Sequence, residues 1–177
     1  MEITRIIEFD IPNNVHQQIT ELRNSCFPVE NTKPRSYYKQ LPHFRYLVFA
    51  DNTLVAHMGV DHRVIRVGNF IFTIFGVIDL CVKSTYQQQG IASKLLSLLT
   101  ELAQEKSVDF LFTVVKDERL YLKNGFQAIA HYCSWLRIHE HQNYGVAVEK
   151  IEKELMIKQT GDQPWVNEPI DLLGYMF

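Results

Sequence analysis

An apolar strand that runs straight into a polar turn, a glycine and an amphipathic helix constrains this chain more than any other feature. Residues Val77–Ser93 read Val-Ile-Asp-Leu-Cys-Val-Lys-Ser-Thr-Tyr-Gln-Gln-Gln-Gly-Ile-Ala-Ser. At such a junction several backbone N–H groups of the first helical turn have no intrahelical acceptor and point outward. Together with the positive end of the helix dipole they form an anion site, most often one for phosphate. Gly90 matters because a residue without a Cβ lets a bulky pyrophosphate approach the backbone. Two familiar phosphate loops do not fit. No Gly-Lys-Ser/Thr places a lysine on the phosphates, and the three spaced glycines of a dinucleotide fingerprint are missing.

The flanking sequence narrows the ligand. Ile91, Leu95, Leu98, Leu99 and Leu102 recur at helical spacing, with Lys94, Ser97, Glu101 and Gln104 on the other face. Phe110–Val115 has strand composition, and Lys116–Asn124 reads as a short helix stopped at Asn124-Gly125. Gln87-x-x-Gly90-x-Ala92 resembles the Gln/Arg-x-x-Gly-x-Gly/Ala acyl-CoA loop of the GNAT superfamily of N-acetyltransferases. Leu120-Tyr121-x-x-x-Gly125-Phe126 is similar to the segment that follows the next strand in those enzymes. Alone, the loop pattern is equally well a polar turn opening a helix. Two signatures in the right order, one helix and one strand apart, are far more specific.

The resemblance implies an α/β (α+β) acyl-CoA N-acyltransferase fold, with a mixed, mostly antiparallel central sheet and helices on both faces. It implies that Gln87, Gln88, Gln89, Gly90, Ile91, Ala92 and Ser93 form the pyrophosphate loop of acetyl-CoA, the co-substrate. Leu80, Cys81 and Val82 would pair through their main chains with the pantetheine amides, leaving the Leu80 and Val82 side chains largely in the core. A backbone N–H there could polarise the thioester carbonyl. Tyr121 matches the family tyrosine that protonates the departing thiolate; the plainer reading is an aromatic resting on the sheet. Some family members carry a glutamate base where this chain has Gly76. Asp79 lies on the same strand three residues on, so its side chain should leave by the other face. His57, Asp61 and His62 remain as bases acting through water, and an amine that arrives deprotonated needs none.

Composition agrees with one globular domain over residues 1–177; the resemblance of its ending to family members implies that 158–177 is a tail packing near the acceptor site. Of its 177 residues 46% are hydrophobic and 21% charged, ordinary values for a packed core. A net charge of −2 gives no support to nucleic-acid binding. Lys33-Pro34-Arg35 is too short for a basic tail. Met1–Asp10 reads as a strand rather than a signal segment, and Phe70–Val82 is too short and too polar to span a bilayer. The resemblance implies acetyl-CoA and a small amine as partners, and family members often form homodimers; no nucleic acid and no membrane are expected, and the lack of a targeting signal favours the cytoplasm. Cys26, Cys81 and Cys133 suggest no disulfide framework, and Cys81 reads as core packing sooner than as a nucleophile. His139-Glu140-His141 would share a strand face but lacks a third ligand, so it reads as a polar loop and no metal is expected.

Elsewhere the pattern gives a strand over Glu2–Phe9 and a helix through Cys26 capped by Asn13 or Asn14, with Val15, Ile19 and Leu22 as its stripe. Phe27–Pro42 reads as loop or a short helix. Phe44–Ala50 and Thr53–Val60 form a hairpin around Asp51-Asn52, and His62–Val67 pairs with Phe70–Val82 around Gly68-Asn69. Phe126–Ile138 reads as strand, and Gly145–Ile157 as strand with a helical section. The ending, Trp165 to Phe177, resembles loosely that of the aminoglycoside 2′-N-acetyltransferases and nodulation-type acyltransferases, where such a tail borders the acceptor. Asp171 and the Phe177 carboxylate would then attract a cationic amine; simple docking on an apolar patch explains the tail equally well. The leading expectation is acetyl transfer to a small primary amine. A protein or peptide acceptor, a longer acyl donor, and an acyl-CoA sensor without turnover are the alternatives.

Overall fold

The structure is a computed structural model that describes residues 1–27 and 35–177. It divides into two compact units, Met1–Asp61 with Val77–Leu95, and His62–Gly76 with Leu96–Phe177. Pro28, Lys33 and Pro34 lie outside the described residues. From Arg35 to Pro42 the chain has bends and no helix.

In the first unit β1 (Glu2–Ile7) lies antiparallel to β2 (Phe44–Ala50), and β2 antiparallel to β3 (Thr53–Val67). The β2–β3 hairpin turns through Asp51 and Asn52 at φ 47° and 62°, the left-handed pair that a two-residue turn demands and that short polar side chains tolerate. β1 ends two residues earlier than its sequence suggests. Glu8 opens a 3-10 turn, and its carboxylate accepts from buried Arg45 at 2.7 and 2.9 Å. Helix α1 (Asn13–Cys26) is entered through Pro12, whose carbonyl accepts from Val15 and His16; neither Asn13 nor Asn14 caps it. Ile19 and Leu22 are buried with Ile11, Leu47, Leu54 and Cys81, and Val15 packs against them. Arg23 is buried on the same helix, a charge that an apolar stripe does not reveal.

In the second unit the end of β3 turns through Gly68 (φ 57°) into β4 (Phe70–Val82). β4 runs parallel to β5 (Phe110–Val114), which pairs antiparallel with β7 (Gln142–Gln159); β7 pairs antiparallel with β6 (Gln127–His139). β8 (Ile170–Tyr175) lies parallel to β6 and also pairs antiparallel with β3, Val67 opposite Ile170. The ladder of this unit therefore returns to the strand it started from, which protects edges that would otherwise seek a partner. Its interior holds Ile65, Phe72, Ile74, Phe110, Phe112, Leu155, Ile157 and Leu172. The sheet is mixed and mostly antiparallel, as the sequence implied.

Several boundaries differ from the sequence reading. α3 covers only Arg119–Lys123, because the Asp117 carboxylate accepts the Arg119 N–H at 3.1 Å and holds the preceding residues in a turn. β7 is strand throughout, with no helical section. Glu140 and His141, at φ 48° and 61°, make the β6–β7 turn. On helix α2 (Ile91–Glu105) Leu95, Leu96, Leu99 and Leu102 are buried, whereas Leu98 is half-buried.

Candidate active site

The glycine loop is built by its own glutamines. Leaving β4, the chain is pinned by Lys83 N–H to the Val55 carbonyl at 2.8 Å and makes a 3-10 turn over Ser84–Tyr86. The Gln87 side chain donates back to the Val82 carbonyl at 3.0 Å, and that of Gln89 to the Thr85 carbonyl at 3.2 Å. Gln88 and Gly90 are both left-handed, at φ 60° and 80°. A Cβ built on Gly90 meets nothing within 4 Å, so the glycine faces open space. Lys94 N–H donates to the Gly90 carbonyl at 2.9 Å, and the helix runs on from Ile91, Ala92 and Ser93. By α-helix geometry the N–H groups before Lys94 have no intrahelical acceptor and stand at the positive end of the helix dipole. The glutamine side chains hold the loop in shape, and its amides are the groups suited to an anion.

Upstream of the loop, β4 breaks its alternation at Asp79, a non-glycine residue at φ 46°. A left-handed residue of this kind costs about 1–2 kcal/mol. Its carboxylate is held by Arg23 Nε at 2.7 Å, a charge-assisted bond that offsets that cost. After the break Cys81 points into the core at 1% exposure, while Leu80 and Val82 are half-buried. The sequence reading had put Leu80 and Val82 in the core. The left-handed residue shifts the phase of the strand, so that of the three only Cys81, which the sequence also reads as core packing, is fully buried. The Cys81 thiol is pushed well above its usual range by its hydrogen bond with Cys26 and by burial, which removes it as a nucleophile. The Cys26 thiol is pulled down to about 7 by the same hydrogen bond.

The three expected water-mediated bases fare differently. His57 is wholly buried, and burial, then Arg45 and Arg23, push its pKa far down, so it is a neutral ring remote from solvent. Asp61, also in the first unit, is 1% exposed and contacts His43. His62, in the second unit, is exposed and packs edge-on against Phe75 at 5.2 Å.

In the second unit the reason for Gly76 is steric. A Cβ there would stand 2.0 Å from Cε1 of Phe177. The terminal ring occupies the space a side chain would take, packs against Phe112 with centroids 5.5 Å apart, and lies under the Arg63 guanidinium at 3.9 Å. Arg63 also covers the Tyr175 ring and donates to the Tyr175 carbonyl at 2.8 Å. Trp165 stacks on Phe72, so the tail is docked at both ends. Asp171 accepts from Leu173 N–H at 3.0 Å and from Arg66 at 3.3 Å; the first of these holds its carboxyl below the usual range. Its charge is thus occupied within the sheet. Tyr121, on α3, is 7% exposed and meets Phe126 edge-on at 5.2 Å. The Gly76–Phe177 pairing escaped the sequence reading; its signals were a glycine inside an apolar strand and an aromatic terminus.

A mixed sheet, a left-handed break in β4 and a glycine loop opening α2 define the class of acyl-CoA N-acyltransferase folds. The chain belongs to the GNAT acetyltransferases: the family described as acetyltransferase (GNAT) domain matches residues 11–129. Solved structures of low identity share the fold. A GNAT family N-acetyltransferase (YhbS) from Escherichia coli in complex with CoA superposes with a TM-score of 0.64 at 14% identity, covering 97% of this chain and 90% of that one. Escherichia coli ElaA gives 0.60 at 13% identity, covering 89% and 99%. A GCN5-related N-acetyltransferase from Anabaena variabilis ATCC 29413 gives 0.62 at 14% identity over 75% of this chain, which spans only 34% of its length. No curated protein matches the sequence. Among the described residues no helix is long and apolar enough to cross a membrane, and no group of three or more His, Cys, Asp or Glu is placed to hold a metal ion.

Proposed function

We propose that the chain transfers an acetyl group from acetyl-CoA to the primary amine of a small molecule by direct attack. The observation that carries this is Gly90, left-handed and facing open space at the head of α2, in a loop braced by Gln87 and Gln89. The amides from Gln88 to Ser93 receive the pyrophosphate, and the main chain of Leu80, Cys81 and Val82 receives the pantetheine arm. Acetyl-CoA supplies the activated acyl group. Tyr121 gives the departing thiolate its proton. Free thiols at all three cysteines suit a reducing compartment such as the cytoplasm.

The test is a thiol-release assay with acetyl-CoA against aminoglycosides, polyamines and peptides, beside calorimetric titration with CoA. Turnover on a small-amine class is the expected result. Turnover on peptides alone moves the acceptor to protein, CoA binding without turnover on any amine contradicts acetyl transfer to these acceptors, and absence of CoA binding contradicts the whole reading.

A further inference from the structure

Acetyl transfer to an amine raises a proton problem that Gly76, His57 and Asp79 leave unsolved. A primary alkyl amine meets the protein as an ammonium ion at neutral pH, and only its deprotonated form attacks. Gly76 offers no side chain, His57 is sealed from solvent, and Asp79 is tied to Arg23.

The first unit holds another pair suited to the task. His43 Nδ1 lies 3.2 Å from Asp61 Oδ1; the Asp61 side chain is 1% exposed and that of His43 57%. A buried carboxylate hydrogen-bonded to Nδ1 orients the ring and directs proton exchange to Nε2, as carboxylates orient imidazole bases. The backbone at His43 is fixed on both sides: its N–H donates to the Val60 carbonyl at 2.9 Å, and its carbonyl accepts from Glu8 N–H at 3.1 Å. Arg45, two residues along the chain from His43, is ion-paired with Glu8 at 2.7 Å.

The pair also lies beside the strand that would carry the acyl group. Asp61 and Gly59 are two residues apart on β3 and share a face. A Cβ on Gly59 would stand 3.3 Å from the Ile78 carbonyl and 3.3 Å from Cγ of Pro42, the residue before His43. Ile78 immediately precedes the left-handed Asp79. All of these residues, and the Gly90 loop, belong to the first unit.

We propose that His43, positioned by Asp61, is the base that deprotonates the incoming acceptor ammonium. This rests on the acetyl-transfer reading above. His43 Nε2 takes one proton from R–NH3+, giving R–NH2 and an imidazolium. The amine then forms the C–N bond to the acetyl carbonyl as the C–S bond breaks. The nitrogen gives up a second proton, the thiolate gains one, and the imidazolium returns its proton to solvent. The products are amide, CoA thiol and one released proton.

The experiment measures thiol release by the wild type, His43→Ala, Asp61→Asn and the double variant, with acetyl-CoA and the alkyl amine turned over best, with and without added imidazole. CoA affinity is titrated in each. His43→Ala should lose about 100-fold in kcat, within the usual range for a general base, with CoA affinity unchanged. Added imidazole should restore part of the loss, which it would not do for a packing defect. Asp61→Asn should slow the wild type but leave His43→Ala no slower, since a positioning residue acts only through the ring it positions. A His43→Ala kcat within about twofold of wild type overturns the proposal, as does a loss matched by lost CoA affinity. The exposed position of His43 keeps this arm informative even if Asp61→Asn does not fold. A wild type that binds CoA but releases no thiol with any amine overturns the acetyl-transfer reading, and this proposal with it.

Discussion

Gly76 and Phe177 meet in the second unit, and their contact ties residue 177 to the middle of β4. With the ring of Phe177 only 2.0 Å from a Cβ at position 76, Gly76→Ala must move the terminal ring out of its seat over Phe112. Overpacking of this kind costs about 1–3 kcal/mol, which thermal unfolding would register, and the added methyl should be tolerated better once Phe177 is truncated to Ala. Gly90 presents the opposite case. Open space surrounds it, so Gly90→Asp should leave the fold standing, apart from the modest strain of its left-handed backbone, while placing a charge where a pyrophosphate belongs. CoA affinity should fall below detection by calorimetry with little change in the unfolding transition. Tyr121→Phe removes one hydroxyl from a buried ring and should reduce turnover while CoA affinity holds. Wild-type kinetics in that variant would leave Tyr121 with packing alone.

At the scale of elements, α1 and the strands of the first unit enclose a polar interior that apolar periodicity does not disclose. Arg23, Arg45, Glu8, His57 and Asp61 are all buried there. His57 has its pKa pushed well below the ordinary 6.5 by burial and by two arginines, and burial lowers that of His131 in the second unit as well. The unfolded chain then binds more protons than the folded one. Stability is accordingly full above about pH 6.5 and falls as the pH drops below it. Thermal unfolding from pH 8 to pH 5 should show this loss, and His57→Phe should flatten the curve. A pH-independent transition in the wild type would contradict a buried neutral His57.

The same contrast explains what was legible in the sequence. Both hairpins, α1, α2 and the glycine loop were readable because turn residues and apolar spacing act locally. At these turns Asp51, Asn52 and Gly68 take the left-handed backbone that those residue types tolerate. The break at Asp79 was not readable, because it depends on an arginine 56 positions away. The shortened α3 follows from an Asp117 side chain competing for a backbone N–H, and β7 keeps strand pairing along its whole length where charged residues alternate with few apolar ones. The His43–Asp61 pair, from a loop and a strand, carries no motif at all.

Across the whole molecule, the family match stops at residue 129, and the chain beyond it supplies β7, β8 and the docked terminus of the second unit. β8 completes the strand ladder there, and Tyr175 and Phe177 lie against Arg63. Deleting Leu173–Phe177 strips both rings and half of that strand, and thermal stability should fall by about 2–5 kcal/mol, the scale of large-to-small core losses. The glycine loop belongs to the other unit, so a variant that still unfolds cooperatively should keep its CoA affinity. Lost CoA affinity would point to general unfolding instead.

The measurement that bears most directly on the acyl-CoA site is a calorimetric titration of the full chain with CoA, run beside Gly90→Asp. Saturable binding by the wild type, lost in a variant that still unfolds cooperatively, is the predicted result. A wild type that takes up no CoA, or a Gly90→Asp variant that binds it equally well, would contradict the assignment of the Gly90 loop.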